Sequence, residues 1–481
     1  MDSASLQFVL FGLMTAALSN LSRSRVWRSS VLMLASLAFV AILAKSALVL
    51  IPLAAFLLFG YGALALRQRG WSGGAAWSIP AVIFAYVWLK KYTFLPERFL
   101  LHFPYFTLGL SYIFFRVLHL LIEAGENAGS EEQRHIGFMP YLLYTMNFTT
   151  LISGPIQRFD EFGRDQFAVL PLPLGPATIG LQLERIIRGF FKVNVLAMLL
   201  HMMQENGLEQ LTQPVPVEQK MLAAIQMTVA YPLFLYANFS GYIDIVIALA
   251  RLMRIQLPEN FDRPFSASSF LDFWNRWHIT LSKWLKTYVY NPLLMVLMRR
   301  IPSSSMEPFL GVSCFFVTFF LIGVWHGRTS EYIVFGILQG GGVAINKIWQ
   351  LCLARILGRK AYKDLAKNAI YIAFGRGMTF SWFAFTMFWF WANWKQIGTI
   401  FSAIAVAPWF VVWLVMWFGA TAVLAMWELL RTELLKIRTA EGSALTSRYA
   451  LVVYATTMAM IALVVTVVLN QPAPGIVYKA F

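Results

Sequence analysis

The sequence predicts an all-α, polytopic membrane protein, because of its composition, the lengths of its apolar runs and the positions of its basic residues. Of its 481 residues, 59% are hydrophobic and 13% are charged, whereas soluble domains contain about 45–50% apolar and about 25% charged residues. A soluble core cannot enclose this excess of apolar side chains, so most of the surface is expected to face lipid. A transmembrane helix needs about 20 apolar residues, so the chain has room for about 10 to 13 spans with re-entrant or interfacial helices between them.

The apolar runs also indicate how the chain is organised. Those that concern the residues discussed below lie at 186–203, 221–237, 240–254, 308–325 and 331–350. Three connecting regions are more polar and richer in proline and glycine than simple turns: 154–180, 256–300 and 357–368. Irregular backbone persists at membrane depth only where protein or a water-filled cavity satisfies its amides, so the first two regions are expected to border a cavity. The sequence shows no internal repeat and no soluble segment, so residues 1–481 are predicted to form a single transmembrane domain.

The basic residues are placed as in a membrane protein. The net charge is +16, and the basic side chains cluster between apolar runs, at Arg23, Arg25, Arg28, Arg67, Arg69, Arg355, Arg359, Lys360, Lys363 and Lys367. This pattern is typical of cytoplasmic loops that face anionic lipid headgroups. The lipid bilayer is therefore a predicted partner. Nucleic acid is not, because no RNA- or DNA-binding motif accompanies the charge.

His326 is the first candidate for chemistry. It ends an apolar run, in the sequence LIGVWHGR at 321–328. Gly323 and Gly327 flank it four residues apart, and small residues at this spacing let another helix or a substrate approach the backbone closely. A neutral imidazole, with a reference pKa of about 6.5, can take a proton from a hydroxyl near pH 7. His326 is thus a candidate general base, and the alternative is a histidine hydrogen-bonded within a helix bundle.

His278 is the second candidate, in the sequence FWNRWHITLSKWLK at 273–286. Read at 3.6 residues per turn, one apolar stripe contains Trp274, Trp277, His278, Leu281, Trp284 and Leu285. The opposite face carries Asp272, Arg276, Thr280, Lys283 and Thr287. The pattern predicts one amphipathic helix over 270–286 that lies at the membrane interface. The histidine on its apolar face is either functional or incidental to an aromatic anchor.

The other ionisable residues are predicted to be structural. Asp244, in the sequence FSGYID at 239–244, lies within an apolar run and is expected to pair with Arg251. His102 and His119 lie in a run rich in phenylalanine and tyrosine. The two cysteines have no metal-ligand spacing, so neither a disulfide framework nor a metal site is predicted.

Four segments make the chain resemble a known family. The sequence LPENFDRPF at 257–265, followed by FWNRWHITLS at 273–282, is similar to the signature of the membrane-bound O-acyltransferases (MBOAT). The sequence VWHG at 324–327 matches the second motif of that family in position and order. SGPIQRF at 153–159 and FSGYID at 239–244 resemble two further segments upstream. The resemblance is best over about 100–350 and is strongest to the bacterial branch that contains the alginate O-acetyltransferase membrane subunit and the teichoic acid D-alanyl transfer protein.

The resemblance implies a helix bundle around a central tunnel, in which a cytoplasmic thioester donor meets an alcohol acceptor. His326 would be the essential catalytic residue, acting as general base, and His278 the second motif histidine. Asn275 or His278 would donate a hydrogen bond to the developing oxyanion, and a donor of this kind contributes about 3 kcal/mol in a dry site. The remaining residues expected to line the tunnel or bind substrate are Trp274, Trp277, Trp325, Gly327 and Asp244.

The function implied by the resemblance is O-acyl transfer, most simply acetyl transfer, onto hydroxyls of an extracytoplasmic polysaccharide such as alginate, at the bacterial inner membrane. No bound cofactor is expected, and the donor would be acetyl-CoA or an acyl carrier phosphopantetheine. A periplasmic acetyltransferase or an acyl-carrier protein is the expected partner. The alternatives are D-alanyl transfer from a carrier protein onto a cell-envelope polymer, acylation of a lipid or protein, and, in a different class, a polysaccharide transporter or scaffold.

Overall fold

A computed structural model describes residues 5–44, 46–70, 74–103, 105, 107–126, 135–439, 447–469 and 474–475. These residues form helices and no β-strand, apart from one isolated antiparallel bridge between Phe261 and Trp277. The prediction of an all-α protein is confirmed. The chain divides into two compact units, the first made of residues 1–190, 242–259 and 475–481 and the second of residues 191–241 and 260–474. The interpretation of 1–481 as one domain stays a prediction.

The first unit holds the helices from the N-terminal part of the chain. They are α1 (Leu6–Ser19), α2 (Arg25–Leu43), α3 (Ile51–Gln68), α4 (Gly74–Lys90), α5 (Leu110–Glu126), α6 (Phe138–Met146), α7 (Phe148–Leu151), α8 (Phe159–Gln166) and α9 (Pro176–Phe191), with 3₁₀ turns at Ala47–Leu50 and Glu97–Phe99. Its core includes packed rings, such as Phe11 against Phe148 at 5.3 Å between centroids. Each aromatic pair of this kind adds about 0.5–1.5 kcal/mol beyond its buried area.

The second unit contains both candidate histidines. Its helices are α10 (Met198–Thr212), the larger part of α11 (Val217–Leu252), α12 (Phe270–Arg276), α13 (Ile279–Leu285), α14 (Asn291–Arg300), α15 (Glu307–His326), α16 (Ser330–Ile356), α17 (Arg359–Leu365), α18 (Ala369–Thr386), α19 (Phe388–Trp391), α20 (Trp394–Ser402), α21 (Val406–Thr439) and α22 (Arg448–Leu469). Two π-helical turns, Lys192–Ala197 and Lys286–Tyr290, and a 3₁₀ turn, Pro264–Ser266, lie between them. The buried core of α18 and α19 packs with that of α11, through residues such as Phe380, Phe388 and Met227.

Seven helices among the described residues are long and apolar enough to cross a membrane, and α1 and most of α4 are shorter apolar helices. The predicted total of 10 to 13 spans stays a prediction. The two runs at 221–237 and 240–254, predicted as separate spans, form the single 36-residue helix α11. The polar residues between them, Asn238 and Ser240, are buried, and a helix satisfies its own backbone amides wherever it lies in protein. No break is therefore needed.

The spanning helices differ in what surrounds them. The most apolar stretch of α11 is 89% buried in the protein, whereas the corresponding stretches of α21 and α22 are 17% and 11% buried. Side chains on α21 and α22 that are apolar and exposed, such as Val467 and Leu429, therefore face lipid.

Candidate active site

His326 is placed by a tight hairpin of two helices. It is the last residue of α15, and only Gly327, Arg328 and Thr329 separate it from the start of α16. A connection this short makes the two helices antiparallel neighbours. At Gly323 a Cβ atom would overlap the Cα of Gly336 on α16, so the helices approach at the level of their backbones. The predicted close approach at Gly323 is present in the structure.

The glycine after the histidine is needed for a different reason. Gly327 has φ −154° and ψ 174°, an extended conformation that any residue adopts. A Cβ atom at this position would, however, overlap the ring of Tyr332. Tyr332 in turn contacts the ring of Phe390, at 6.0 Å between centroids. Gly327 thus lets the first turn of α16 fold back beside His326.

His326 itself lies among aromatic rings and is almost fully buried. Its ring centroid is 5.9 Å from that of Phe335 and 5.1 Å from that of Phe390. Trp325, its neighbour in sequence, is 4.7 Å away by the same measure. Such surroundings exclude water, which strengthens every electrostatic interaction with a reacting group.

His278 lies at a break between two short helices. The prediction of one continuous helix over 270–286 is wrong, because α12 ends at Arg276 and α13 begins at Ile279. His278 has φ 45° and ψ 51°, the left-handed conformation, which is rare for residues other than glycine and is most often adopted by Asn, Asp and His among the others. The chain changes direction at the histidine, and the stripe of apolar residues continues on a second helix.

A backbone pairing with an earlier segment imposes this break. The amide of Asp262 donates to the carbonyl of Arg276 at 2.9 Å, and the amide of Ile279 donates to the carbonyl of Asn260 at 3.0 Å. Between these bonds lies the isolated bridge of Phe261 with Trp277. These two hydrogen bonds take the place of bonds that a continuous helix would make at Arg276 and Ile279.

Asn260 is the residue of this site that sequence reasoning missed. Its side-chain oxygen Oδ1 accepts hydrogen bonds from Thr280 N at 3.1 Å and from Thr280 Oγ1 at 2.8 Å, and it lies 3.3 Å from Nδ1 of His278. The side chain is fully buried. The motif LPENFDRPF contains Asn260, but nothing local in the sequence shows that its amide reaches a residue 18 positions later.

Of the three predicted tryptophans, Trp325 contacts both histidines, and Trp274 and Trp277 pack on phenylalanines. Trp325 brings the two histidines together, because its ring centroid lies 6.4 Å from His278 as well as 4.7 Å from His326. Trp277 packs on Phe273, and Trp274 packs on Phe319 of α15. All three tryptophans are buried. Asn275, the other predicted oxyanion donor, is exposed, unlike its neighbour Trp274, and its role stays a prediction.

Burial keeps the imidazole of His278 neutral. His278 lies outside the seven candidate spans. Burial lowers its pKa to about 3, although a backbone hydrogen bond acts in the opposite direction. On α12, Arg276 pairs with Asp272 at 3.0 Å, so the positive charge of Arg276 is balanced within that helix. An uncharged imidazole donates a hydrogen bond through one ring nitrogen and accepts through the other, and the tautomer decides which nitrogen does which.

Asp244 belongs to the first unit and has a different partner from the predicted one. Its carboxylate pairs with Arg185 of α9 at 2.9 Å and lies 3.6 Å from Arg188. Arg251 instead donates to the carbonyl of Pro173 at 2.8 Å. The structural role expected for Asp244 agrees with these contacts, and the predicted pairing with Arg251 is wrong. Arg251 is seven residues further along the same helix, about 10 Å away, whereas Arg185 comes from another helix.

We expect Asp244→Ala to lower stability more than catalysis. Removing Asp244 leaves Arg185 with only the exposed carboxylate of Glu259 as counter-charge, which is expected to destabilise the protein by about 1–3 kcal/mol. The measurement is the melting temperature in detergent, together with kcat at a temperature well below it. Glu259→Gln is the control, because Glu259 also pairs with Arg185 but is exposed. A large loss of kcat at unchanged melting temperature would instead support a tunnel-lining role for Asp244.

Of the other predicted residues, His119 behaves as expected. It is buried, and its Nδ1 lies 3.1 Å from the hydroxyl of Tyr144, whose ring it meets edge-on. The hydroxyl of Tyr144 also donates to the carbonyl of Gln157 at 2.6 Å. These contacts tie α5 to α6 and to the segment before α8, which is a structural role.

A cavity of about 610 Å³ lies within the second unit. Its wall includes Phe270, the first residue of α12, and the indole ring of Trp382. It is also lined by Asn346 and Gln350 of α16 and by Tyr362 and Ala366 in and after α17. The basic residues close to Tyr362 and Ala366 in sequence are exposed: Arg355, Arg359, Lys360, Lys363 and Lys367. The volume is in the range of cavities that hold small molecules, about 300–1,000 Å³.

The chain is similar to several proteins of known type. It is 31% identical over 249 residues to a teichoic acid D-alanyltransferase of Streptococcus thermophilus, covering 50% of this chain and 57% of that protein. It is 30% identical to a peptidoglycan O-acetyltransferase of Helicobacter pylori, covering 44% and 38%. It is also 30% identical to a probable alginate O-acetylase of Pseudomonas fluorescens, covering 52% and 47%. The chain spans about half the length of the curated relatives it matches.

The sequence also matches a model of an entire protein family. The model of the MBOAT, membrane-bound O-acyltransferase family, matches residues 37–390. That region contains both histidines, the hairpin of α15 and α16 and the paired segment around Asn260. The match also extends beyond the region of about 100–350 in which the resemblance was predicted to be best. Because it covers most of the chain, and because the helices are those of a multi-pass membrane protein, the chain belongs to the membrane-bound O-acyltransferase family.

Proposed function

We propose that this protein transfers an acyl group, most simply acetyl, from a cytoplasmic thioester to hydroxyls of an extracytoplasmic cell-envelope polysaccharide. The observation that carries the proposal is the pair of buried histidines, His278 and His326, that both contact the ring of Trp325. A buried, water-poor site with a neutral imidazole suits acyl transfer to an alcohol, because water would otherwise hydrolyse the thioester.

In the proposed reaction, His326 takes the proton of the acceptor hydroxyl while the hydroxyl oxygen attacks the thioester carbonyl. The carbonyl π bond opens to an oxyanion, and its collapse breaks the carbon–sulfur bond. The thiolate then receives the proton from His326, which returns to its neutral form. The products are an ester and a free thiol, with no change of oxidation state. The burial of His326 among Phe335, Phe390 and Trp325 supports this role by excluding water.

The donor side is proposed to be the 610 Å³ cavity. Its rings and amides suit the amide-containing pantetheine arm that coenzyme A and carrier phosphopantetheine share, with Trp349, Tyr362 and Tyr371 for packing and Asn346 and Gln350 for hydrogen bonds. The basic residues of α17 would attract the phosphates. By the positive-inside pattern this end of α16 is cytoplasmic, which agrees with a donor made in the cytoplasm.

Reversing charge on α17 tests this assignment. In Lys360→Glu/Lys363→Glu protein we expect the KM for acetyl-CoA to rise about 10-fold at low salt and by less at high salt, because screening weakens attraction between exposed charges. The assay uses protein in lipid nanodiscs and measures free thiol release. Lys395→Glu on α20 is the matched control, since Lys395 is exposed and follows Trp394, which donates to Ser330 at the opposite end of α16 from the cavity. An equal rise of KM in the control would contradict the assignment.

D-alanyl transfer is kept as a second candidate because a teichoic acid D-alanyltransferase is among the proteins that the chain matches. In that case the donor would be a carrier protein, and the acceptor a cell-envelope polymer. Acetyl transfer is supported by the similarity to the peptidoglycan and probable alginate acetylating proteins. We propose the bacterial inner membrane as the location, and a periplasmic acetyltransferase or an acyl-carrier protein as partner.

The experiment that separates these candidates compares cells with and without the gene. Mild base releases ester-linked groups from the envelope and from secreted polymer, and mass spectrometry identifies them. Loss of acetate on deletion supports the proposal, and loss of D-alanine supports the second candidate. If deletion instead lowers the amount of polymer while the remaining polymer carries the same number of acyl groups per repeat, both acyl-transfer candidates are overturned. A transporter or scaffold would then be favoured.

A further inference from the structure

The contacts of Asn260 determine which ring nitrogen of His278 carries the hydrogen. Thr280 N lies 3.1 Å from the Oδ1 atom of Asn260. A backbone N–H only donates, so the side-chain atom that faces it must be the oxygen of the amide, not its nitrogen. The orientation of the Asn260 amide is therefore fixed by its neighbour. Thr280 Oγ1, at 2.8 Å, donates to the same oxygen.

His278 faces this same oxygen through Nδ1, at 3.3 Å. An amide oxygen accepts hydrogen bonds and never donates one, so Nδ1 must supply the hydrogen. In a neutral imidazole only one of the two nitrogens carries a hydrogen, and the other has a lone pair. Because His278 is buried beside the rings of Phe239 and Trp325, its neutral form is the stable one.

The backbone reinforces the position of the ring. The carbonyl of Asn260 accepts from the amide of Ile279 at 3.0 Å, so Asn260 holds the chain on the residue that follows His278 as well as the side chain of His278. The left-handed conformation of His278 is kept by this pairing. Asn260 thus controls both where the imidazole lies and how it is protonated, although it is 18 residues away in sequence.

We infer that Asn260 is a positioning residue that holds His278 as its Nδ1–H tautomer, so that Nε2 accepts a hydrogen bond from a hydroxyl of the acceptor other than the one that reacts, instead of donating one to the oxyanion. The inference rests on the proposed acyl transfer for the identity of that hydroxyl. It replaces the expectation that His278 stabilises the oxyanion, since Nε2 without a hydrogen has nothing to donate. His326 then takes the single hydrogen of the reacting hydroxyl, and His278 holds the acceptor through a second hydroxyl.

The tautomer is measured directly on wild-type protein. The protein is labelled with histidine that carries nitrogen-15 at Nδ1 only, and the His278 signal is identified by its loss in His278→Gln protein. We expect the nitrogen-15 shift of an N–H nitrogen, far upfield of a nitrogen with a lone pair. A lone-pair shift at Nδ1 would overturn the inference. The measurement does not depend on turnover, so an Nδ1–H signal in a protein that transfers no acyl group would reject the proposed function alone.

Kinetics of Asn260 variants provide the second test. Asn260→Leu removes the acceptor oxygen, and we expect kcat to fall on the order of 100-fold with a smaller change in KM, as for a misplaced catalytic group. Asn260→Asp keeps an oxygen facing Thr280 and His278. We expect it to have most of the activity that Asn260→Leu loses. Ser282→Ala is the control, because it removes a side-chain oxygen from α13, the helix that follows His278. Equal kcat values for Asn260→Leu and Ser282→Ala, or no rescue by Asn260→Asp, would overturn the inference.

Discussion

Replacing His326 with alanine is expected to abolish acyl transfer while leaving the protein in the membrane at its normal amount. The imidazole is the group proposed to take the hydroxyl proton, and general base catalysis contributes about 100- to 10,000-fold to rate. Alanine keeps the backbone N–H and C=O at this last position of α15 and favours helix, so the substitution removes no helix hydrogen bond. The measurement is the amount of base-released acyl groups from the cell envelope at matched protein abundance.

His201→Ala is the matched control for that experiment. His201 lies in the same unit, stacks on Phe234 at 5.0 Å and is partly exposed, so it tests the general effect of losing a histidine. His326→Gln adds a second comparison, because glutamine keeps a polar side chain but takes no proton. Normal acylation in the His326→Ala strain, when the deletion strain still has a polymer defect, would reject the catalytic role and favour transport or scaffolding.

The second large effect is expected from Gly323→Ala. The added methyl group would overlap the Cα of Gly336, so α15 and α16 must separate and His326 must move with the end of α15. A displacement of about 1 Å can lower kcat about 100-fold, and overpacking costs about 1–3 kcal/mol in stability. We expect lower kcat and a lower melting temperature together, measured on purified protein in nanodiscs.

Gly341→Ala is the control for this change. Gly341 lies on α16, as Gly336 does, but no atom lies within 4 Å of the place where its Cβ would be. The substitution adds the same methyl group to a helix and is expected to leave activity unchanged and to raise stability slightly, because alanine favours helix more than glycine. If both variants behaved alike, the close approach of Gly323 to Gly336 would not be what positions His326.

The sequence was informative where the relevant contacts are local. His326, Trp325 and Gly327 are consecutive, so their proximity needs no tertiary information. The 3.6-residue periodicity also identified side chains that are buried, such as Trp277, Leu281 and Trp284. It failed at Thr280, which was assigned to the polar face but is buried and hydrogen-bonded to Asn260.

The reason for that failure is physical. Periodicity assumes a continuous helix, and a segment 18 residues earlier interrupts this one by pairing with its backbone. The same limitation produced the wrong partner for Asp244, since Arg251 lies on the same helix but the real partner, Arg185, belongs to α9. Local pattern identifies which residues are buried, whereas the partner of a buried polar group depends on a distant segment.

The different surroundings of the spanning helices have a consequence for how this chain tolerates sequence change. Lipid tails are fluid and accept any apolar side chain, so a helix such as α22, only 11% buried, is constrained in composition but hardly in residue order. In α11 each side chain fits against fixed neighbours, and the order itself is constrained. We therefore expect exchanges between apolar residues to change the free energy of unfolding less in α22 than in α11.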